Sequence, residues 1–130
     1  MITIEQIYAA HSNVKSGADF PNFIKEIKSL GVTHYEAYVF DGHVDYYDTN
    51  NNIIQSDAKY RTIVIQNEVT ESAFKEGLLD HQKGLTDYPT FIQMCADCGI
   101  VKWKVDINKM TCTYYAQLDE MILEENIPSI

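Results

Sequence analysis

DFPNFIKEIKSLGVTHYEAYVFDGHVDYYD, residues 19 to 48, recurs as DYPTFIQMCADCGIVKWKVDINKMTCTYYA, residues 87 to 116, at a constant offset of 68 positions. Without a gap, Asp19, Pro21, Phe23, Ile24, Gly31, Tyr46 and Tyr47 match Asp87, Pro89, Phe91, Ile92, Gly99, Tyr114 and Tyr115. Conservative pairs fill in around them: Phe20 with Tyr88, Val32 with Ile100, Tyr35 with Trp103. A stretch met twice predicts one supersecondary arrangement built twice.

Working outward, Asp19 with Pro21 opens a helix, because the fixed φ of proline suits a first turn, and Phe23, Ile24, Ile27 and Leu30 form its apolar stripe up to a capping Gly31. From Val32 the period changes to two, with Tyr35, Ala37 and Val39 on one face and His34, Glu36, Tyr38 and Phe40 on the other. Asp41-Gly42 suits a two-residue type I′ hairpin turn, which would pair Val39 with Val44 and Ala37 with Tyr46. Asp48 to Asn52 reads as a turn, Ile53-Ile54 as the start of a short strand, and Tyr60 to Gln66 as a firmer one. The second copy repeats the helix at about 88–98, a strand at Val101 to Ile107, a turn near Asn108 to Met110 and a strand to about Ala116.

A Thr3-Ile-Glu-Gln capping box precedes the first copy, followed by Ile4, Ile7, Tyr8, His11 and Val14 at helical spacing and a terminating Gly17. Thr70 opens the matching helix, with Ala73, Phe74, Gly77, Leu78 and His81 inward and Gly84 at its end. Leu118 to Glu125 fits a last helix with Leu118, Met121 and Ile122 inward, and Ile127 onward reads as a tail. The expected fold is α+β, an antiparallel sheet covered by helices and built from a tandem helix-helix-strand-strand repeat. Residues 1–130 form a single domain in this reading, with halves at about 3–48 and 70–116 sharing one core.

At 45% apolar over 130 residues, the chain is long enough to bury roughly two thirds of its unfolded surface. It shows neither a basic segment leading into an apolar run at its start nor a continuous apolar stretch of membrane-spanning length, which predicts a soluble cytoplasmic protein. Three cysteines cannot all pair, so reduced thiols are expected. Nineteen acidic against ten basic side chains give a net charge of −9, which repels phosphate backbones and anionic lipid. Neither a nucleic-acid nor a membrane partner is expected.

Cys95-Ala-Asp-Cys98 has the spacing of a redox pair or half a zinc site, but the repeat sets these cysteines where the first copy has Ile27 and Leu30. Buried structural thiols follow, and Cys112, matching Val44, reads the same way. The first hairpin's other face is more distinctive, gathering His34, Glu36, Tyr38, Phe40, His43, Asp45 and Tyr47 where the second copy has Lys102, Lys104, Asp106, Asn108, Thr111, Thr113 and Tyr115. His34, Glu36, Tyr38, His43, Asp45 and Tyr47 are therefore candidate binding residues, since Tyr and His offer wide contact with polar tips. In the type I′ register His43 faces Phe40, roughly 20 Å from His34, so the two cannot share a metal ion. Asp45 would face Tyr38 and lie near His43, a pair suited to acid/base chemistry although no nucleophile or oxyanion device adjoins it. His11 and His81 fall on apolar stripes, as core-edge histidines do. No phosphate-binding or nucleophile-elbow motif occurs, and no cofactor, metal site or assigned catalytic residue is expected.

GVTHYEAYVFDGHVDYYD and the second copy, with the D-[FY]-P helix start, resemble a family of roughly 130-residue bacterial proteins of unknown function, some of them labelled phage envelope protein. The resemblance implies an α+β single domain and a prophage or mobile-element connection, and carries no catalytic residues to transfer. The expected function is a non-enzymatic binding module using the His34 to Tyr47 face for a protein or small-molecule partner. The alternative is a small enzyme or ligand-binding protein with His43 and Asp45 as the acid/base pair. An uncovered face or edge strand would also suit a homodimer.

Overall fold

Thr3 begins the first helix as a capping box should: its hydroxyl accepts from the Gln6 N–H, and the Gln6 side chain accepts from the Thr3 N–H. In the computed structural model, which describes residues 2–12 and 19–127, α1 (Ile4–His11) and α2 (Phe20–Ser29) lead into β1 (Val32–Tyr38), β2 (Val44–Asp48) and β3 (Ile53–Gln55). Then α3 (Glu71–Gln82) and α4 (Tyr88–Asp97) lead into β4 (Lys102–Asp106), β5 (Thr111–Tyr115) and β6 (Met121–Asn126). The protein is α+β, with four helices among the described residues and one six-stranded antiparallel sheet in the order β3-β2-β1-β4-β5-β6. Val14 and Gly17, expected to finish the first helix, lie outside the described residues.

The two runs of elements pair alike. Tyr35 faces Tyr46 in the first hairpin and Trp103 faces Tyr114 in the second, the same register displaced by 68 over four successive pairs, from His34 with Tyr47 to Ala37 with Val44. Between them, Glu36 faces Lys104, its own counterpart 68 residues on, so β1 and β4 meet about a local two-fold relation. The flanking bonds obey it too: Val39 N–H donates to the Val101 carbonyl and Ile107 N–H to the Thr33 carbonyl.

Side chains alternate across the sheet. Tyr35, Ala37, Val44, Tyr46 and Val105 join Phe23, Ile24 and Ile27 of α2 in one core cluster, whereas Tyr114 and Ile100 join Phe74, Phe91, Ile92 and Cys95 in another. Trp103 and Cys112 pack against both. All these sheet residues share one face, so the helices lie on that side, and each fully buried side chain such as Ile27 or Phe74 contributes about 1.5–3 kcal/mol. Among the described residues no helix covers the opposite face.

Five expectations change. The Asp41-Gly42 hairpin is not a two-residue turn: β1 and β2 pair two positions further back, Ala37 facing Val44, with 39–42 looped out. Val39 leaves the ladder because its side chain is fully buried, its N–H bonds Val101 and its carbonyl accepts from the Tyr60 hydroxyl at 2.6 Å. Gly42, at φ +78°, still permits the loop, since a Cβ there would come within 2.6 Å of the Tyr60 ring. The shift by two leaves every side chain on its expected face.

Residues 60–66 are not a strand. They run extended past the hairpin loop, holding single bonds from Ile63 N–H to Phe40 and from Gln66 N–H to Ala96, with Ile63 and Ile65 in the second cluster and Val64 79% exposed. The alternation is present but no strand edge is there to pair with it.

Leu118 to Glu125 is not a helix. Gln117–Asp119 makes a tight turn, and β6 then pairs along β5, closing an edge that would otherwise be open. Leu118 and Met121, expected inward, are exposed. Ile127 is no tail: it is buried and donates to the Met110 carbonyl at 2.7 Å. Finally, on α3, Phe74 and Leu78 are buried and Gly77 partly so, but Ala73 faces solvent.

Candidate functional site

The face without helices is laid out in rows. His34 stacks on Tyr47 across β1 and β2, with ring centroids 4.3 Å apart and planes 11° from parallel. Tyr38 stacks on His43 in the same way, at 4.3 Å and 7°, and Phe40 meets His43 edge-on at 5.4 Å. Glu36 faces Asp45 in the row between the two stacks. Two aromatic shelves thus flank two carboxylates. Although no described helix lies over them, these side chains are packed tightly enough that His43 and Asp45 are each 15% exposed and Glu36 17%.

The register corrects the geometry expected of the site. His43 sits beside Tyr38 rather than Phe40, and Asp45 faces Glu36 rather than Tyr38. His34 and Tyr38 are four residues apart on one strand, so the two histidines lie roughly 13 Å apart rather than 20 Å, still too far to share an ion. Among the described residues no group of three or more His, Cys, Asp or Glu side chains could hold a metal ion.

Three contributors, Asp41, Lys102 and Asp119, were not foreseen. Asp41, read as a turn residue, bonds His43 twice, accepting from its N–H at 3.0 Å and meeting its Nδ1. Asp45 stands 4.0 Å from His43 Nε2, so the imidazole lies between two carboxylates. Lys102 Nζ reaches Glu36 at 2.7 Å and Asp119 at 3.0 Å and lies over the rings of Tyr38 and Tyr115 at 5.8 and 5.5 Å. Burial alone would lower the lysine's pKa, but the hydrogen bonds that its ammonium donates to Glu36 and Asp119 hold it above its ordinary value. Lys102 was visible only as the counterpart of His34; its partner Asp119 stood inside a segment read as helix.

Burial, followed by the charge of Glu36, raises the Tyr38 and Tyr47 hydroxyls above their usual pKa. The Tyr47 hydroxyl donates to Glu36 at 3.3 Å. Burial, followed by the nearby Lys104, lowers His34. Beside His43 lies a shallow cleft of about 260 Å³, lined by Asp41, His43, Gln55, Ser56, Asp57 and Ala58. Ser56 is not a free hydroxyl there: it accepts from the Val44 N–H at 2.8 Å and donates to the Asp57 carbonyl.

The cysteines are where the repeat puts them. Cys95 and Cys98 are buried, and burial raises both thiols; Cys112 is pushed up to about 12 for the same reason. Such thiols are poor nucleophiles and poor redox groups. His11 packs edge-on against Phe23 and His81 stacks on Phe91 with its Nδ1 near Thr86, both structural roles.

Fold and face together define an α+β protein whose antiparallel sheet is covered on one side and presents a built aromatic and acidic surface on the other. The chain belongs to the family described as Protein of unknown function (DUF1398), whose model matches residues 8–126. No curated protein matches the sequence. No described helix is long and apolar enough to cross a membrane.

Proposed function

We propose that the protein is a non-enzymatic binding module that engages a protein or small-molecule partner through the helix-free face, with His34, Glu36, Tyr38, His43, Asp45 and Tyr47 at its centre. One observation carries this reading: six side chains, joined by two ring stacks, the Tyr47–Glu36 hydrogen bond and the approach of Asp45 to His43, occupy a face that the chain's described helices leave uncovered. Pre-ordered aromatic groups with polar tips lose little conformational entropy on binding. A single domain made by duplication, a cytoplasmic location and an association with mobile elements belong to the same reading, supported by the 68-residue offset, the three free thiols and the family resemblance.

The alternative, an enzyme, has a specific observation in its favour, the Asp41-His43 contact beside the cleft. Such a pair orients an imidazole as a general base. Among the described residues no free nucleophile adjoins it, because the Ser56 hydroxyl is committed to backbone, and Cys95 and Cys98 are buried and Cys112 partly so. Binding is the better-supported function.

In-cell photo-crosslinking tests it. A photoreactive phenylalanine at Tyr47 should yield discrete adducts, whereas the same group at Lys25, exposed on α2, should yield none. Equal labelling from both positions would remove the case for this face.

A further inference from the structure

The row of side chains at one end of the open face continues across almost the whole sheet. His43 adjoins Tyr38, Tyr38 faces Lys102, Lys102 faces Tyr115, and Tyr115 faces Met121, so one line crosses from His43, just before β2, through β1, β4 and β5, to β6. Phe40 extends it at one end, packed edge-on to His43 and 38% exposed. At the other end stand Met121, 61% exposed, and the turn carrying Leu118, fully exposed. The lysine interrupts the apolar character only in part, because its ammonium is neutralised by Glu36 and Asp119 while it spans two tyrosine rings.

The turn that displays Leu118 is strained. Leu118 at φ +60°, ψ +30° and Asp119 at φ +56° both occupy the left-handed region, which glycine and asparagine adopt readily and leucine does not. A leucine there gains nothing from burial, and asparagine would suit the turn better. Its position is accounted for by what it presents, in the way that observed strain points to a site. Asp119, anchored on Lys102, fixes the turn to the ridge.

Charge selects the occupant. Glu36, Asp41, Asp45, Asp106, Asp119 and Glu124 belong to this face and its rim, against Lys102 and Lys104, and the chain as a whole carries −9. A second copy applied to the ridge would set carboxylates against carboxylates. We propose that the ridge from Phe40 to Leu118 seats a basic amphipathic segment of another protein, apolar side chains on the tyrosines, Met121 and Leu118, and Lys or Arg side chains on the flanking carboxylates. This rests on the reading of the open face as a binding surface and names the partner's chemistry.

The test titrates the intact protein with a synthetic amphipathic helix of leucine and lysine, and with its leucine and glutamate counterpart, following backbone amide shifts by NMR. The basic peptide should shift amides of 38–45, 102 and 115–121 and weaken as salt rises, and the acidic one should not bind. Leu118→Asn with Met121→Thr should weaken the basic peptide by at least ~10-fold. Leu118→Asn alone should also raise the thermal midpoint, which separates loss of the anchor from loss of fold. Unchanged affinity in the double variant overturns the ridge. Shifts from the acidic peptide alone overturn the partner's charge while leaving the face as a binding surface. A dimer in sedimentation that protects 115–121 replaces the foreign partner with a second copy, and a monomer that neither peptide shifts overturns the ridge as a peptide seat, while the reading of the open face as a binding surface falls only if crosslinking from position 47 also fails.

Discussion

Tyr35 faces Tyr46 in the first hairpin and Trp103 faces Tyr114 in the second, and both pairs pack into the core on the helix side, Trp103 only partly buried; on the other side the same two hairpins show different chemistry. His34, Glu36, Tyr38, His43 and Asp45 correspond to Lys102, Lys104, Asp106, Thr111 and Thr113. The covered face is held alike because packing against a helix demands apolar groups of matching volume, a constraint the fold imposes twice. Nothing in the fold asks the uncovered face to carry stacked histidines in one half and an ordinary polar surface in the other. On the proposed reading, the difference marks where a demand other than folding acts.

The comparison breaks most readily in the core. Ile27 and Cys95 are equivalent and both fully buried. Ile27→Ala should cost about 2–5 kcal/mol of unfolding free energy in urea, and Cys95→Ala less than half as much, because a thiol removes less volume than a branched chain. Equal costs would mean that the two clusters are not built to one plan.

A middle-sized effect sharpens it at the ion pair that crosses between the halves. Glu36→Gln leaves a largely buried Lys102 with Asp119 alone and should cost about 1–3 kcal/mol. Asp119→Asn, at a carboxylate 78% exposed, should cost under ~1 kcal/mol and fade with added salt. The reverse order would contradict Glu36 as the principal partner.

The smallest effect is with pH. Burial lowers both His11 and His34 below their ordinary 6.5, so the unfolded chain takes up protons on these residues before the folded one does. Their contribution is complete above that value and is lost as pH falls through the folded pKa values. The thermal midpoint should therefore be flat just above neutrality and decline on mild acidification, less steeply in His11→Asn with His34→Asn. A midpoint that rises on acidification would contradict the sign.

Most of the fold was legible because the evidence for it is local and repeated: the capping box at Thr3, proline in the first turn of α2 and of α4, and period two from Val32. The errors share a cause, which is that pairing partners lie far away in sequence. Val39 is drawn out of its hairpin by Val101 and Tyr60, residues 60–66 find no edge, and β6 forms because β5 offers one. The side chains of the candidate site kept their face because the register moved by two, not one. Their neighbours did not, so Asp41, Lys102 and Asp119 came into view only with the sheet order.

The most direct test of the central claim transplants the second half's face onto the first. His34→Lys with His43→Thr and Asp45→Thr replaces distinctive groups with their own counterparts, leaves Glu36 on Lys102, and sets the new lysine opposite Asp106. Crosslinking from position 47 should then lose its adducts while the thermal midpoint and circular dichroism stay near wild type. Adducts that persist at full strength in a folded triple variant would contradict the claim that this chemistry, and not the shape of the sheet, makes the binding surface.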